Sequence, residues 1–102
     1  MSKYNIRYSK EAKQDLADIK RYIKYKLQEP NIADKLIKKI KDEIKKLVDD
    51  PEIYPIIDDD FIKKLEIRKI IVDNYIVFYR IKNQIVEIVR VMYARRNWIA
   101  LL

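Results

Sequence analysis

Histidine, cysteine and glycine are all absent from this 102-residue chain, and tryptophan occurs once, at Trp98. Without cysteine there is no disulfide framework and no thiolate nucleophile. Without histidine the commonest general base near neutral pH and the commonest zinc ligand are lost together. Without glycine there is no Gly-rich phosphate loop, and tight turns must use Asn or Asp, the next-best residues at positive φ. Asp73-Asn74 and Asn83 stand where such turns are needed. No apolar run reaches the roughly 18 residues that cross a bilayer, and the opening Met1-Ser2-Lys3-Tyr4-Asn5 has no apolar leader segment. The expectation is a cytoplasmic protein with no membrane association, no metal and no cofactor, forming one domain over residues 1–102. At this length about 65% of the unfolded surface can be buried, enough for one modest core.

Charge is present in excess and unevenly placed. The net charge is +7. Residues 1–60 hold 14 Lys/Arg against 13 Asp/Glu, whereas residues 61–102 hold 9 against 3, so the balance moves from +1 to +6. Such asymmetry suits nucleic acid, a ribosome or an acidic protein, or serves solubility alone.

Hydrophobic periodicity orders the elements. Residues 3–8 alternate and predict a short strand with Tyr4, Ile6 and Tyr8 on one face. Ser9 is placed to cap a helix whose face is Ala12, Leu16, Ile19, Ile23 and Leu27, ended by Pro30. Asn31 with Asp34 resembles a capping box for a second helix, with Ala33, Leu36, Ile37, Ile40, Ile44, Leu47 and Val48 on one side and a lysine-rich face opposite. Pro51 and Pro55 follow, then a loop over residues 56–64. Its run Asp58-Asp59-Asp60 has no second ligand cluster to complete a metal site and reads as solvated loop.

Three strands at about 65–72, 75–82 and 85–93, joined by two-residue connections, predict an antiparallel meander. Tyr75 to Tyr79 is apolar throughout, which predicts a central strand covered on both faces. The fold class is α+β: an N-terminal strand, then an antiparallel helical hairpin packed on a small antiparallel sheet in the order β-α-α-β-β-β, then a short C-terminal helix or tail. The face of the sheet away from the helices is expected to hold the surplus cations.

Phosphate chemistry without metal or histidine would use Arg and Lys to hold the anion, with Tyr, Lys or a carboxylate to move protons. The candidates are Arg68, Lys69, Arg80, Arg90, Arg95 and Arg96, with Tyr75, Tyr79, Tyr93, Trp98, Glu66 and Glu87. The same residues also suit plain cross-strand pairing, such as Glu87 with Arg68 or Arg80, and half-buried strand tyrosines.

The ordered set Tyr4-x-Ile6-x-Tyr8-Ser9-x-x-Ala12-x-x-Asp15-Leu16-x-x-Ile19, Pro51…Tyr54-Pro55 and Asn74-Tyr75-x-Val77-x-Tyr79-Arg80-Ile81…Val86-x-Ile88-x-Arg90-Val91…Arg95-Arg96-x-Trp98 resembles the RelE/ParE superfamily of type II toxins. The resemblance implies a growth-inhibiting toxin of the plasmid-stabilisation kind, neutralised by a small acidic antitoxin encoded beside it. RelE-like members place an Arg after the tyrosine that opens the central strand, where this chain has Ile76. They also place a second basic residue where it has Ile71. The His-Tyr pair of the YoeB-like branch is Met92-Tyr93 here. The resemblance is therefore closer to ParE-like members, and it implies poisoning of DNA gyrase by protein contact.

The alternatives are a RelE-like, ribosome-dependent mRNA endoribonuclease (an mRNA interferase), or an inactive relative that binds only antitoxin and DNA. In the ribonuclease case Arg68, Lys69, Arg90, Arg95 and Tyr93 would surround the scissile phosphate. Arg80, Arg96, Trp98, Leu101 and Leu102 are the candidate contacts with target or antitoxin. The assemblies implied are a toxin homodimer or a toxin–antitoxin heterotetramer.

Overall fold

A computed structural model describes residues 3–102. Met1 and Ser2, the start of the Met1–Asn5 segment that has no apolar leader pattern, lie outside the described residues. The elements are β1 (Asn5–Tyr8), α1 (Lys10–Arg21), α2 (Pro30–Lys45), β2 (Arg68–Val72), β3 (Tyr75–Lys82) and β4 (Ile85–Tyr93). Short 3₁₀ turns follow α2, precede β2 and end the chain at Ile99–Leu101.

Ser9 caps α1 as its position predicts: extended at φ −66° and ψ 163°, its Oγ accepts from the Ala12 N–H. The helix does not run regularly to Leu27. It passes at Tyr22 into a π-helical turn, Tyr22–Lys26, and Gln28 then takes a φ of 55°. Pro30 opens α2 at its first turn, where a missing N–H costs nothing, so the capping box read at Asn31 does not form. Glu29 occupies the cap position with no side-chain bond. Ala12 of α1 and Ala33 of α2 both lie in the shared core without exposed surface.

The sheet order is β1-β4-β3-β2. The meander β2–β3–β4 is antiparallel, and its turns use Asp73 and Asn83 at φ 53° and 58°, in place of glycine. β1 joins the outer side of β4 in parallel, with Asn5 opposite Ile85 and Tyr8 opposite Ile88, so the four-stranded sheet is mixed. β2 starts at Arg68 rather than near residue 65, because a 3₁₀ turn at Lys63–Leu65 and a left-handed Glu66 (φ 54°) interrupt the extended chain.

The central strand is covered on both faces. Val77 and Tyr79 pack with Ile70, Val86, Ile88, Leu36, Ile40 and Ile44 beneath the helices. Ile76 and Phe78 face the other way, with Ile67, Met92, Trp98 and Leu102. Trp98 lies tilted on Phe78 at 5.1 Å between ring centroids. The helix-free face is thus divided: an apolar half beneath the C-terminal segment, and a charged half bearing Arg7, Arg80, Lys82 and Glu87. Alternation along β3 and β4 sends both kinds of residue to the same side, and only the apolar half needs cover from water.

Tyr79 has no exposed surface, and its hydroxyl donates to the Pro51 carbonyl at 2.7 Å. Burial pushes its phenol up to about 12, above the ordinary value of about 10. The stability this contributes is complete below the unfolded-state pKa and is lost as pH rises through about 12. Two units correspond to about 3 kcal/mol. Denaturation followed from about pH 8 to about pH 11.5 should therefore show a steeper loss of stability in the wild type than in Tyr79→Phe. Parallel slopes would place the responsible ionisation elsewhere.

Candidate functional site

The most informative site of the chain begins with a defect in the sheet. Phe78 pairs with Arg90 but Tyr79 pairs with Ile88, so Val89 is an extra residue and β4 carries a bulge. A bulge leaves ladder groups unpaired. Here the first helix supplies partners: Ser9 Oγ donates to the Val89 carbonyl at 2.7 Å, and the Val91 N–H donates to Asp15 Oδ2 at 2.9 Å. The same carboxylate accepts both Arg90 Nε (2.8 Å) and Nη2 (2.9 Å), a bidentate fork. That bond to Asp15 raises the Arg90 pKa, against a partial loss of hydration. Asp15 lies on the apolar stripe of α1, between Ala12 and Ile19, so it must face the sheet. It clamps α1 to the end of β4.

Beside this clamp, whose Asp15 forms part of the lining, lies a cleft between the helices and the sheet. The end of α1, the π turn and the N-terminal half of α2 face the adjoining ends of β3 and β4 across this cleft of about 950 Å³. Ile19, Tyr22, Ile23, Leu27, Ile32 and Leu36 line the helical wall, and Tyr75, Val91 and Tyr93 line the sheet wall. Tyr75 and Tyr93 meet edge to face at 5.6 Å. Burial raises the Tyr75 phenol, and the neighbouring Tyr93 and Tyr22 raise it further. Tyr22, Leu27 and Ile32 are each 53% exposed, a concentration of apolar surface that a lone domain rarely leaves uncovered. Lys35, Lys39 and Arg96 stand on the rim, and Lys39 is paired with Asp73 at 2.7 Å.

The residues considered for ribonuclease chemistry are dispersed. Arg68 and Lys69 are adjacent in β2 and so leave the sheet on opposite faces. Arg68 Nη1 donates to the Tyr54 and Glu52 carbonyls on the helical side. Lys69 Nζ lies over the Trp98 ring at 5.5 Å on the other. Arg90 is held by Asp15. Tyr93 sits at the cleft, opposite Tyr75, whereas Arg68 is opposite Tyr79. Four residues of strand, about 13 Å, separate those two rows. Arg95 is exposed in the turn after β4.

Among the residues considered for partner contact, Arg96 is on the cleft. Arg80 Nε donates to Glu87 at 2.8 Å, the cross-strand pair that charge patterning offered. Trp98 and Leu102 cover the apolar half of the sheet, and Leu101 is exposed. Among the described residues no group of three carboxylates gathers as a metal site, and no helix is long and apolar enough to cross a membrane.

Sequence reasoning did not find the cleft. The signal was present: Tyr22 and Ile32 fall outside the apolar faces of their helices, and no surface reason for them is evident. It was unreadable because Tyr22 opens a π turn that breaks the regular helical phase, and Ile32 sits in the next helix, brought near only by the tertiary fold.

A structure of a chromosomal ParDE TA system from P. aeruginosa is similar in fold, with a TM-score of 0.73 at 18% identity, aligned over 90% of this chain and 97% of that one. No significant match occurs among curated protein sequences. A family model described as the ParE toxin of type II toxin-antitoxin systems, parDE, matches residues 6–98. That span includes the Ser9–Asp15 clamp, the bulged β4 and both walls of the cleft, and the chain belongs to the ParE toxin family.

Proposed function

We propose that this toxin stops bacterial growth by poisoning DNA gyrase, acting in the cytoplasm as a single domain over residues 1–102. The observation that carries the reading is the family match over residues 6–98. The commitment of Arg68 to backbone carbonyls and of Arg90 to Asp15 supports it, since ribonuclease chemistry would need both free for phosphate. We also propose that the antitoxin buries the cleft between the helical hairpin and the sheet. An amphipathic segment would set its apolar face on Tyr22, Leu27 and Ile32, and its acidic residues would meet Lys35 and Arg96 on the rim.

Induction of the chain without antitoxin, with pulse labels followed over the first minutes, tests the target. Thymidine incorporation should fall first, with methionine incorporation intact. An early fall in methionine incorporation would replace this reading with the ribonuclease one. No fall in either would mean an inactive relative.

A further inference from the structure

The charged half of the helix-free sheet face has no part in the cleft. Across β1, β4 and β3, Arg7, Glu87 and Arg80 form one row, set by the pairs Arg7–Glu87 and Arg80–Glu87. Lys82 follows on the same side of β3, two residues along. Glu87 is the sole carboxylate among the strand residues, against Arg7, Arg68, Lys69, Arg80, Lys82 and Arg90.

Its two oxygens each face one arginine: Arg80 Nε at 2.8 Å and Arg7 Nη2 at 3.6 Å. The arginine side chains are 64% and 45% exposed, for Arg7 and Arg80, while Glu87 is 20% exposed beneath them. Glu87 therefore orients both guanidiniums and offsets only one of their two charges, so the row stays positive. Among the described residues no other acceptor takes the terminal amino groups of Arg80.

The chemistry of this strip selects its partner. Protein interfaces are anchored by buried aromatic or aliphatic groups, and the large exposed apolar side chains lie elsewhere, on the cleft, at Tyr25 in the π turn, in the 53–65 loop, and at Ile71 and Leu101. A single strand of nucleic acid would need aromatic platforms for its bases, and the strip has none. A duplex backbone needs only oriented cations on an open surface. We propose that the Arg7–Glu87–Arg80 row, with Lys82, is a contact surface for the phosphate backbone of duplex DNA. The choice of DNA over RNA rests on the gyrase reading. The contact itself rests on the strip, and it would bring the toxin to its target where that target is bound to DNA.

Fluorescence anisotropy of the isolated toxin with a short labelled duplex, across a salt series, tests the proposal in the absence of gyrase. Its failure is thereby separable from a failure of the growth assay. Arg7→Ala with Arg80→Ala should weaken binding by at least about tenfold and reduce the log–log salt slope by about 2. Arg7→Lys with Arg80→Lys should retain most of the binding, which guards against a folding defect. Lys41→Ala with Lys45→Ala, an equal charge change on α2, should leave it intact. Equal losses in the strip and α2 variants would overturn the proposal, as would an acidic peptide bound where duplex DNA is not. Duplex RNA bound as tightly as DNA would overturn the assignment to DNA.

Discussion

Replacing Asp15 by alanine is expected to lower the unfolding free energy by about 3 kcal/mol, the low end of the range for breaking a buried pair. One carboxylate here serves three donors: two on the Arg90 guanidinium and the Val91 N–H. Its loss leaves a guanidinium with little exposure and no counter-charge, plus a strand N–H with no partner at the bulge. Asp15→Asn should cost less, because an amide oxygen can still accept from Val91. Adding Arg90→Met to Asp15→Ala should recover part of the loss, since the stranded charge is then gone. Urea denaturation of the four proteins measures this. An Asp15→Ala midpoint equal to that of the wild type would show that the clamp is dispensable. A double variant no better than the single would show that the Val91 hydrogen bond, not the ion pair, is the stabilising part.

Ile32→Glu is expected to weaken antitoxin binding by about 100-fold, equivalent to about 2.7 kcal/mol. The residue is 53% exposed in the free toxin, so the toxin's own stability should change by no more than about 0.5 kcal/mol. Upon docking, the variant would place an unpaired carboxylate against an apolar segment with acidic neighbours. Titration of the antitoxin onto wild-type and Ile32→Glu toxin, with melting curves of each toxin alone, separates the two effects. Equal affinities would move the antitoxin off the cleft. A large drop in melting temperature would mean that Ile32 supports the hairpin and does not serve as an anchor.

Both predictions depend on positions whose roles differ from their appearance in the linear chain. The strand content, the two-helix hairpin, the meander and the apolar central strand all follow from residue type and spacing. Ala12, Leu16, Ile40 and Ile44 repeat at helical period and are buried. Asp73 and Asn83 stand at the hairpin turns with positive φ because no glycine is available. Asp15 read alone is an acid early in a helix, favourable to the macrodipole. Its partner is 75 residues away, and only the parallel entry of β1 beside β4 brings α1 across the bulge.

By itself the sequence determined the order of helices and strands, where the meander turns, and that residues 61–102 carry most of the net positive charge. These depend on local sterics and on periodic burial, both encoded within a few residues. Tertiary structure decided which charges remain available. Arg68, Arg90 and Arg80 are alike in the linear chain, yet one is tied to loop carbonyls, one is clamped by Asp15, and one shares Glu87 in the open. It also decided that Tyr22, Leu27 and Ile32 line one cleft, where the π turn at the end of the first helix meets the start of α2. Burial and pairing of charge depend on contacts between residues distant in sequence, and those exist only once the layers have packed.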